Sequence, residues 1–174
     1  MKRGKSIAIL GASGGVGTLA LQVATMRDAR VLSIAPGDDG VPLARRLGAG
    51  AAIDGRHADF HSAVLEFAPD GVECVLALTG GKALERCIAL LRRSGRLAYP
   101  NGVEPAPERV DGIEIVAYDA KEAGTREFEH LSPAVELAKL QVPIAGEYWL
   151  EDAGKVHQRM AEGHVLGKLV LGIR

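Results

Sequence analysis

Short runs of Val, Ile, Leu and Ala alternate along the chain with longer stretches in which apolar and polar positions recur at helical spacing. A short run that is apolar at almost every position fits a strand buried on both faces of a parallel sheet, and the amphipathic stretch that follows fits a crossover helix. Strands are predicted at Ser6–Leu10, Arg30–Ala35, Ala51–Asp54, Val72–Leu78, Gly95–Tyr99 and Ile113–Tyr118. Helices are predicted at Gly15–Met26, Val41–Leu47, Asp59–Phe67, Gly81–Leu91, Thr125–Leu140 and Glu151–Glu162. Two short late strands, Gly146–Leu150 and Lys168–Ile173, close the chain. The expected fold is a three-layered α/β domain on a doubly wound parallel sheet of order 3-2-1-4-5-6, with its ligand crevice at the switch point between strands 1 and 4. Residues 100–112, with three prolines and two glycines, cannot form a regular helix and should be a loop leading to an edge strand.

Composition narrows the class. The 174 residues suffice for one compact domain, and 47% hydrophobic with 25% charged residues describes a globular protein with an aliphatic core. The 21 basic and 22 acidic side chains nearly cancel and form no basic stripe, which speaks against a nucleic-acid or membrane-surface partner. Cys74 and Cys87 lack metal-ligand spacing and read as core hydrophobes in a reducing compartment. With no separate leader and no apolar run of spanning length, the expected location is the cytoplasm.

The chemistry is concentrated in "IAILGASGGVGTLALQVA", Ile7 to Ala24. In a dinucleotide-binding fingerprint the first glycine makes the tight turn, the second admits the pyrophosphate, and the third lets the helix pack closely on the strand. The matching positions are Ala12, Gly14 and Gly17, with Gly11 just before them and Gly15 beside the second. Glycines also gather at turns for other reasons, but this string follows a predicted strand, opens a predicted helix and stands first in an alternating series. A helix beginning there offers free N–H groups and the positive end of its dipole to a diphosphate. The cradle is therefore read as Ala12, Ser13, Gly14, Gly15, Val16 and Gly17. A P-loop is excluded, since no Gly-Lys-Ser/Thr follows.

Together with "ARRLGAGAAID", "LTGGKALERCIALLRRSGRLA" and "YWLEDAGKVHQRMAEGHVLGKLVLGI", this string resembles successive landmarks of the medium-chain dehydrogenase/reductase superfamily, nearest to its zinc-independent quinone oxidoreductase-like branch. The resemblance covers essentially the whole chain. It implies a Rossmann fold and hydride transfer between a nicotinamide dinucleotide and a quinone or conjugated carbonyl. It also implies a division into a dinucleotide-binding domain, 1–145, and a strand-helix-strand segment, 146–174, that in the family packs back on a substrate domain. That domain precedes the nucleotide-binding part in the family and is expected to be absent from this chain, so no catalytic side chain is assigned. Half a cleft can hold a cofactor without turning over efficiently.

Several positions depart from the family pattern. An acidic residue after strand 2 favours NAD and a basic one NADP. Here Asp38 and Asp39 precede Gly40, where the branch often has Lys or Arg, so the carboxylates point to NAD while the resemblance points to NADP. Arg45 or Arg46 could reach back, or residues 36–40 could simply be a polar turn. Ala77 replaces the aspartate of the family's D-T-V-G-G, which weakens the normal pocket, while Thr79, Gly80 and Gly81 still offer a close-approach loop. Asn101, after strand 5, is the candidate carboxamide contact, with an Asn-Gly turn as the plain alternative.

No metal is expected. His57 and His61 are one helical turn apart without a third ligand, and His130, His157 and His164 are isolated, His164 reading as structural in its turn. A short-chain dehydrogenase would need Lys four residues after a Tyr, but Tyr99, Tyr118 and Tyr148 are followed at that spacing by Val103, Glu122 and Asp152. A methyltransferase would share the glycine loop but not the late "GHVLGKLVLGI". The expectations are an oxidoreductase cofactor domain, which needs a substrate domain for its small-molecule substrate, or a non-catalytic dinucleotide-binding or interaction module. Strand 113–118 is an unprotected edge, and pairing of such edges predicts a homodimer.

Overall fold

The computed structural model describes residues 3–57, 59–138 and 140–173. Strands β1 (Ser6–Leu10), β2 (Arg30–Ile34), β3 (Ala51–Ile53), β4 (Val72–Ala77), β5 (Leu91–Pro100) and β6 (Glu114–Tyr118) form one parallel sheet in the order β3-β2-β1-β4-β5-β6. This is the doubly wound order expected. β1 lies at the centre, with Leu10 in register with Ile34 of β2 on one side and Ala77 of β4 on the other. Helices α1 (Gly17–Met26), α2 (Gly37–Arg46), α3 (Phe60–Phe67) and α4 (Lys82–Ile88) make the crossovers, and α5 (Thr125–Ala138) follows β6.

Strand geometry divides each apolar run between two cores, because successive side chains point to opposite faces. Leu10, Leu32, Ile34, Phe60, Val64, Val75 and Leu97 pack on one face. Ile9, Leu21, Val31, Leu43 and Ala44 pack on the other. Ala77 is fully buried in the first core.

Some boundaries differ from the sequence pattern for local reasons. α2 begins at Gly37 rather than Val41, so the reading of residues 36–40 as a plain polar turn is corrected. Extended Pro36 caps the helix, Asp38 and Asp39 occupy its first turn, where the dipole favours carboxylates, and the Gly37 N–H donates to Asp54 Oδ2 at 2.8 Å. α3 begins at Phe60, which leaves His57 in the preceding turn and removes the shared helical face with His61. β5 starts at Leu91, in residues assigned by pattern to the end of helix 4, with a register shift opposite Val72 and Cys74. Residues 101–112 contain no helix, as their prolines require. The predicted end of helix 5 includes Lys139, which lies outside the described residues.

β7 (Ile144–Trp149) and β8 (Lys168–Gly172) pair in parallel around α6 (Ala153–Ala161), forming a small β-α-β unit with its own sheet. Among the described residues no helix is long and apolar enough to cross a membrane.

At the opposite end of the sheet from the strands' carboxyl ends, Glu73 ties β1 to β4. It accepts from the Ser6 N–H at 2.8 Å, pairs with Arg92 at 2.9 Å and contacts Lys5. Burial pushes the Glu73 carboxyl up, but these donors outweigh it and hold the group below the usual range. A carboxyl lowered on folding stabilises above its unfolded pKa, and that contribution is lost as pH falls through the folded value. Glu73→Gln is expected to cost about 2 kcal/mol at neutral pH, with the deficit shrinking in acid. Urea unfolding of both proteins across pH checks this, and a constant deficit at all pH values would exclude the ionic origin.

Candidate dinucleotide site

The site grows from the turn that ends β1. Gly11 has φ +83°, the left-handed conformation that favours glycine, so the tight turn belongs to Gly11 and not to the fully buried Ala12. Gly11 and Ala12 N–H groups both donate to the Ile34 carbonyl, at 3.0 and 3.2 Å, fastening the loop to the end of β2. A Cβ on Gly17 would fall 2.1 Å from the Gly11 carbonyl oxygen and 2.7 Å from Ala12 Cα. This is the close helix-on-strand approach expected of the third glycine. Thr18 secures the same turn, its N–H and its hydroxyl both donating to the Gly14 carbonyl at 3.0 Å.

The C-terminal unit closes over this loop. The Gly167 N–H donates to the Ser13 carbonyl at 2.9 Å, and Gly14 and Gly167 form a parallel bridge. A Cβ on Gly15 would lie 3.1 Å from the Gly167 oxygen and 3.3 Å from Lys168 Nζ. An ammonium group therefore stands beside the amino end of α1. Nothing in the glycine motif signals Lys168, because it comes from the start of β8, 151 residues after Gly17 along the chain.

Gly11, Ser13, Gly14 and Thr79 line a cleft of about 270 Å³ with Pro36, Asp54, Arg56 and His164. It sits at the predicted switch point. Thr79 is exposed there after β4, while Ala77 is a core methyl at full burial, a place where a carboxylate would be costly. Gly80 is a close approach to backbone, since its Cβ would meet the Glu104 carbonyl at 2.5 Å, and it does not line the cleft. Exposed Asn101 lies in the turn after β5, with its N–H donating to the Tyr118 carbonyl at 2.9 Å, and it does not line the cleft.

The charged corner of the cleft differs most from expectation. Gly40 is buried, and a Cβ there would stand 3.2 Å from Ala35 Cβ and 3.4 Å from Ser13 Oγ, so any side chain at this position would press on both. Arg45 and Arg46 lie in the last turn of α2, about 10 Å along its axis from Asp38 and Asp39. The groups that face these carboxylates come from elsewhere. Arg56, just beyond β3, places Nη2 2.8 Å from Asp54 Oδ2, and His164 Nε2 lies 2.9 Å from Asp39 Oδ1. Hydrogen bonding from Arg56 holds the Asp54 carboxyl well below the usual range, against an opposing effect of burial. His164 likewise lowers Asp39. A search for charge directly after β2 misses both Arg56 and His164, and "IDGR" at the end of strand 3 is the one local signal for Arg56.

Cys87 is buried in α4, its thiol pushed up to about 12 by desolvation, and the partly buried Cys74 is raised too. Among the described residues no three His, Cys, Asp or Glu side chains converge as a metal site would need.

A family profile described as zinc-binding dehydrogenase matches residues 47–171. The chain belongs to this family. It is thus a member of the medium-chain dehydrogenase/reductase superfamily, as the landmark strings imply. It is 29% identical to a phenolphthiocerol/phthiocerol polyketide synthase of Mycobacterium tuberculosis, over 98% of this chain and 8% of that one. It is 25% identical to mouse quinone oxidoreductase, over 98% of this chain and 55% of the relative. The solved structure of a mycobacterial protein complexed with NADPH superposes with a TM-score of 0.85 at 24% identity, over 99% of this chain and 58% of that one. The chain spans about half the length of the quinone oxidoreductases it matches, and a smaller part of the polyketide synthase.

Gly17→Ala should destabilise the chain by about 1–3 kcal/mol, because the new methyl meets backbone that must move. Chemical denaturation measures this, and an unchanged midpoint would show that α1 does not need the close seat.

Proposed function

We propose that this chain is the NADP(H)-binding half of a zinc-independent cytoplasmic oxidoreductase acting on a quinone or conjugated carbonyl. The observation that carries the reading is the closed glycine turn with Lys168 beside the amino end of α1. Membership of the dehydrogenase family supports it. The bound nicotinamide supplies or accepts the hydride. The N–H groups at Gly15, Val16 and Gly17 and the Lys168 ammonium hold the pyrophosphate, combining a helix amino terminus with a full positive charge. Ser13 and Thr79 border the same cleft, and Asn101 meets the carboxamide in the complete enzyme.

NADP(H) is favoured over NAD(H) by Arg56 and His164, which converge on Gly37, where the adenosine ribose substituent is recognised in this class of fold. A Cβ at Gly37 would lie 3.0 Å from His164 Cε1 and 3.6 Å from Arg56 Nη2. Asp39 and Asp54 oppose a phosphate less than free carboxylates would, since each already has its cationic or hydrogen-bonding partner.

The substrate-binding half is supplied outside this stretch and docks on the 146–174 unit, where Trp149 and Ile173 are 47% and 79% exposed. β6 is the sheet's edge and pairs with a second copy to form a homodimer.

Calorimetric titration tests the cofactor reading. NADPH should bind about ten-fold more tightly than NADH, and Arg56→Ala should remove most of that preference. Equal binding of both, or tighter NADH, would overturn the NADP(H) assignment. No binding of either would favour a module without cofactor. Light scattering at micromolar concentration should give the dimer mass, and a monomer would rule out pairing through β6.

A further inference from the structure

Gln22 of α1 is a polar side chain in a buried position, 9% exposed, and it does not line the dinucleotide cleft. It stands five residues beyond Gly17, about 7.5 Å along the helix axis from the glycine turn. Its amide is fully engaged. Nε2 donates to the Thr18 carbonyl at 2.9 Å in its own helix and to the Gln141 carbonyl at 2.8 Å, while Oε1 accepts from the Gln141 N–H at 2.9 Å. The two bonds to Gln141 grip backbone alone, much as a neighbouring strand would. Apolar burial does little for that segment, since Gln141 and Val142 are exposed, Val142 at 48%.

Residues 141–143 in turn support the turn before β8. The Pro143 carbonyl accepts from the Lys168 N–H at 2.9 Å, and a Cβ on Gly167 would fall 2.1 Å from the same oxygen. Gly167, buried and at φ +93°, is thus seated directly on Pro143. On its other side the Gly167 N–H donates to the Ser13 carbonyl, and Lys168 stands beside Gly15. A continuous path therefore runs from Gln22 through Gln141, Pro143 and Gly167 to the amino end of α1. Half-buried Leu166 packs on the second core and His164 pairs with Asp39, so the turn keeps a general seat without Gln22. The Gln22 clamp sets where Pro143 meets Gly167, and thereby where the Lys168 ammonium stands.

We propose that Gln22 is a positioning residue for dinucleotide binding, holding residues 141–143 so that Lys168 stands at the amino end of α1; this rests on the reading of the Gly11–Gly17 cleft as the dinucleotide site. Gln22 borders no part of that cleft, so its effect on affinity passes through the Lys168 turn. Removing the clamp and removing the ammonium then withdraw the same contact, and their effects do not add.

Gln22→Met keeps the side chain's length and helix propensity and removes all three bonds. Calorimetry with NADPH on the full chain should show about five-fold weaker binding for Gln22→Met and about ten-fold for Lys168→Ala, with the double variant Q22M/K168A no weaker than Lys168→Ala. Hydrogen exchange without dinucleotide should be faster at the Gly167 and Lys168 amides of Gln22→Met, and unchanged at Ile9 and Leu32 in the central sheet. Gln22→Glu, which keeps the acceptor for the Gln141 N–H but has no donor for its carbonyl, gives the same comparison should Gln22→Met not fold. Additive losses in the double variant, undiminished NADPH binding in Gln22→Met, or faster exchange spread evenly through the sheet would each overturn the proposal. Absence of NADPH binding by the unsubstituted chain would overturn the cofactor reading and this role with it, and the exchange comparison would still report whether Gln22 seats the Lys168 turn.

Discussion

The seat of Gly17 on the Gly11–Ala12 backbone is the constraint from which the site follows. With any side chain at that position, α1 would have to lift away from the end of β1. The missing Cβ lets the helix begin directly above the central strand, so its unpaired N–H groups open at the switch point of the sheet. The left-handed turn at Gly11 and the paired bonds from Gly11 and Ala12 to Ile34 fix the direction of approach. Family membership, fold and cleft all meet at this turn.

A second layer of organisation comes from the far end of the chain. The turn carrying His164 and Gly167, with Lys168 opening β8, lies against the glycine loop and the start of α2, through bonds to Ser13 and Asp39. It brings one cation to the helix terminus and one imidazole to the charged corner of the cleft. The corner is therefore assembled from three separate stretches: the start of α2, the exit of β3 and the turn before β8. Such an arrangement links cofactor binding to the seating of the C-terminal β-α-β unit.

The fold was legible because parallel strands buried on both faces leave an uninterrupted apolar signature, and the six runs from Ser6 to Tyr118 follow it. The glycine loop was legible for the same kind of reason, since Gly11 and Gly17 are needed for backbone conformation and clearance. The charged corner was not. Asp38 and Asp39 look like ribose ligands in sequence, yet they sit in the first turn of α2, with Asp39 engaged by His164. Gly40 looks like a missing cation, yet it is a packing contact against Ser13. Arg56 and His164 reach the corner, and Lys168 the amino end of α1, through tertiary contacts that no local spacing encodes. The histidine pair His57 and His61 failed as a helical face because α3 begins three residues after His57.

The central claim is that the Gly11–Gly17 turn and Lys168 together hold the diphosphate of a nicotinamide dinucleotide. The most direct measurement is a backbone amide titration of the chain with NADPH. The account predicts saturable shifts at Gly14, Gly15, Val16, Gly17 and Lys168, with weaker affinity in Lys168→Ala. Binding that leaves these amides unmoved, or saturation with no loss in Lys168→Ala, would contradict it.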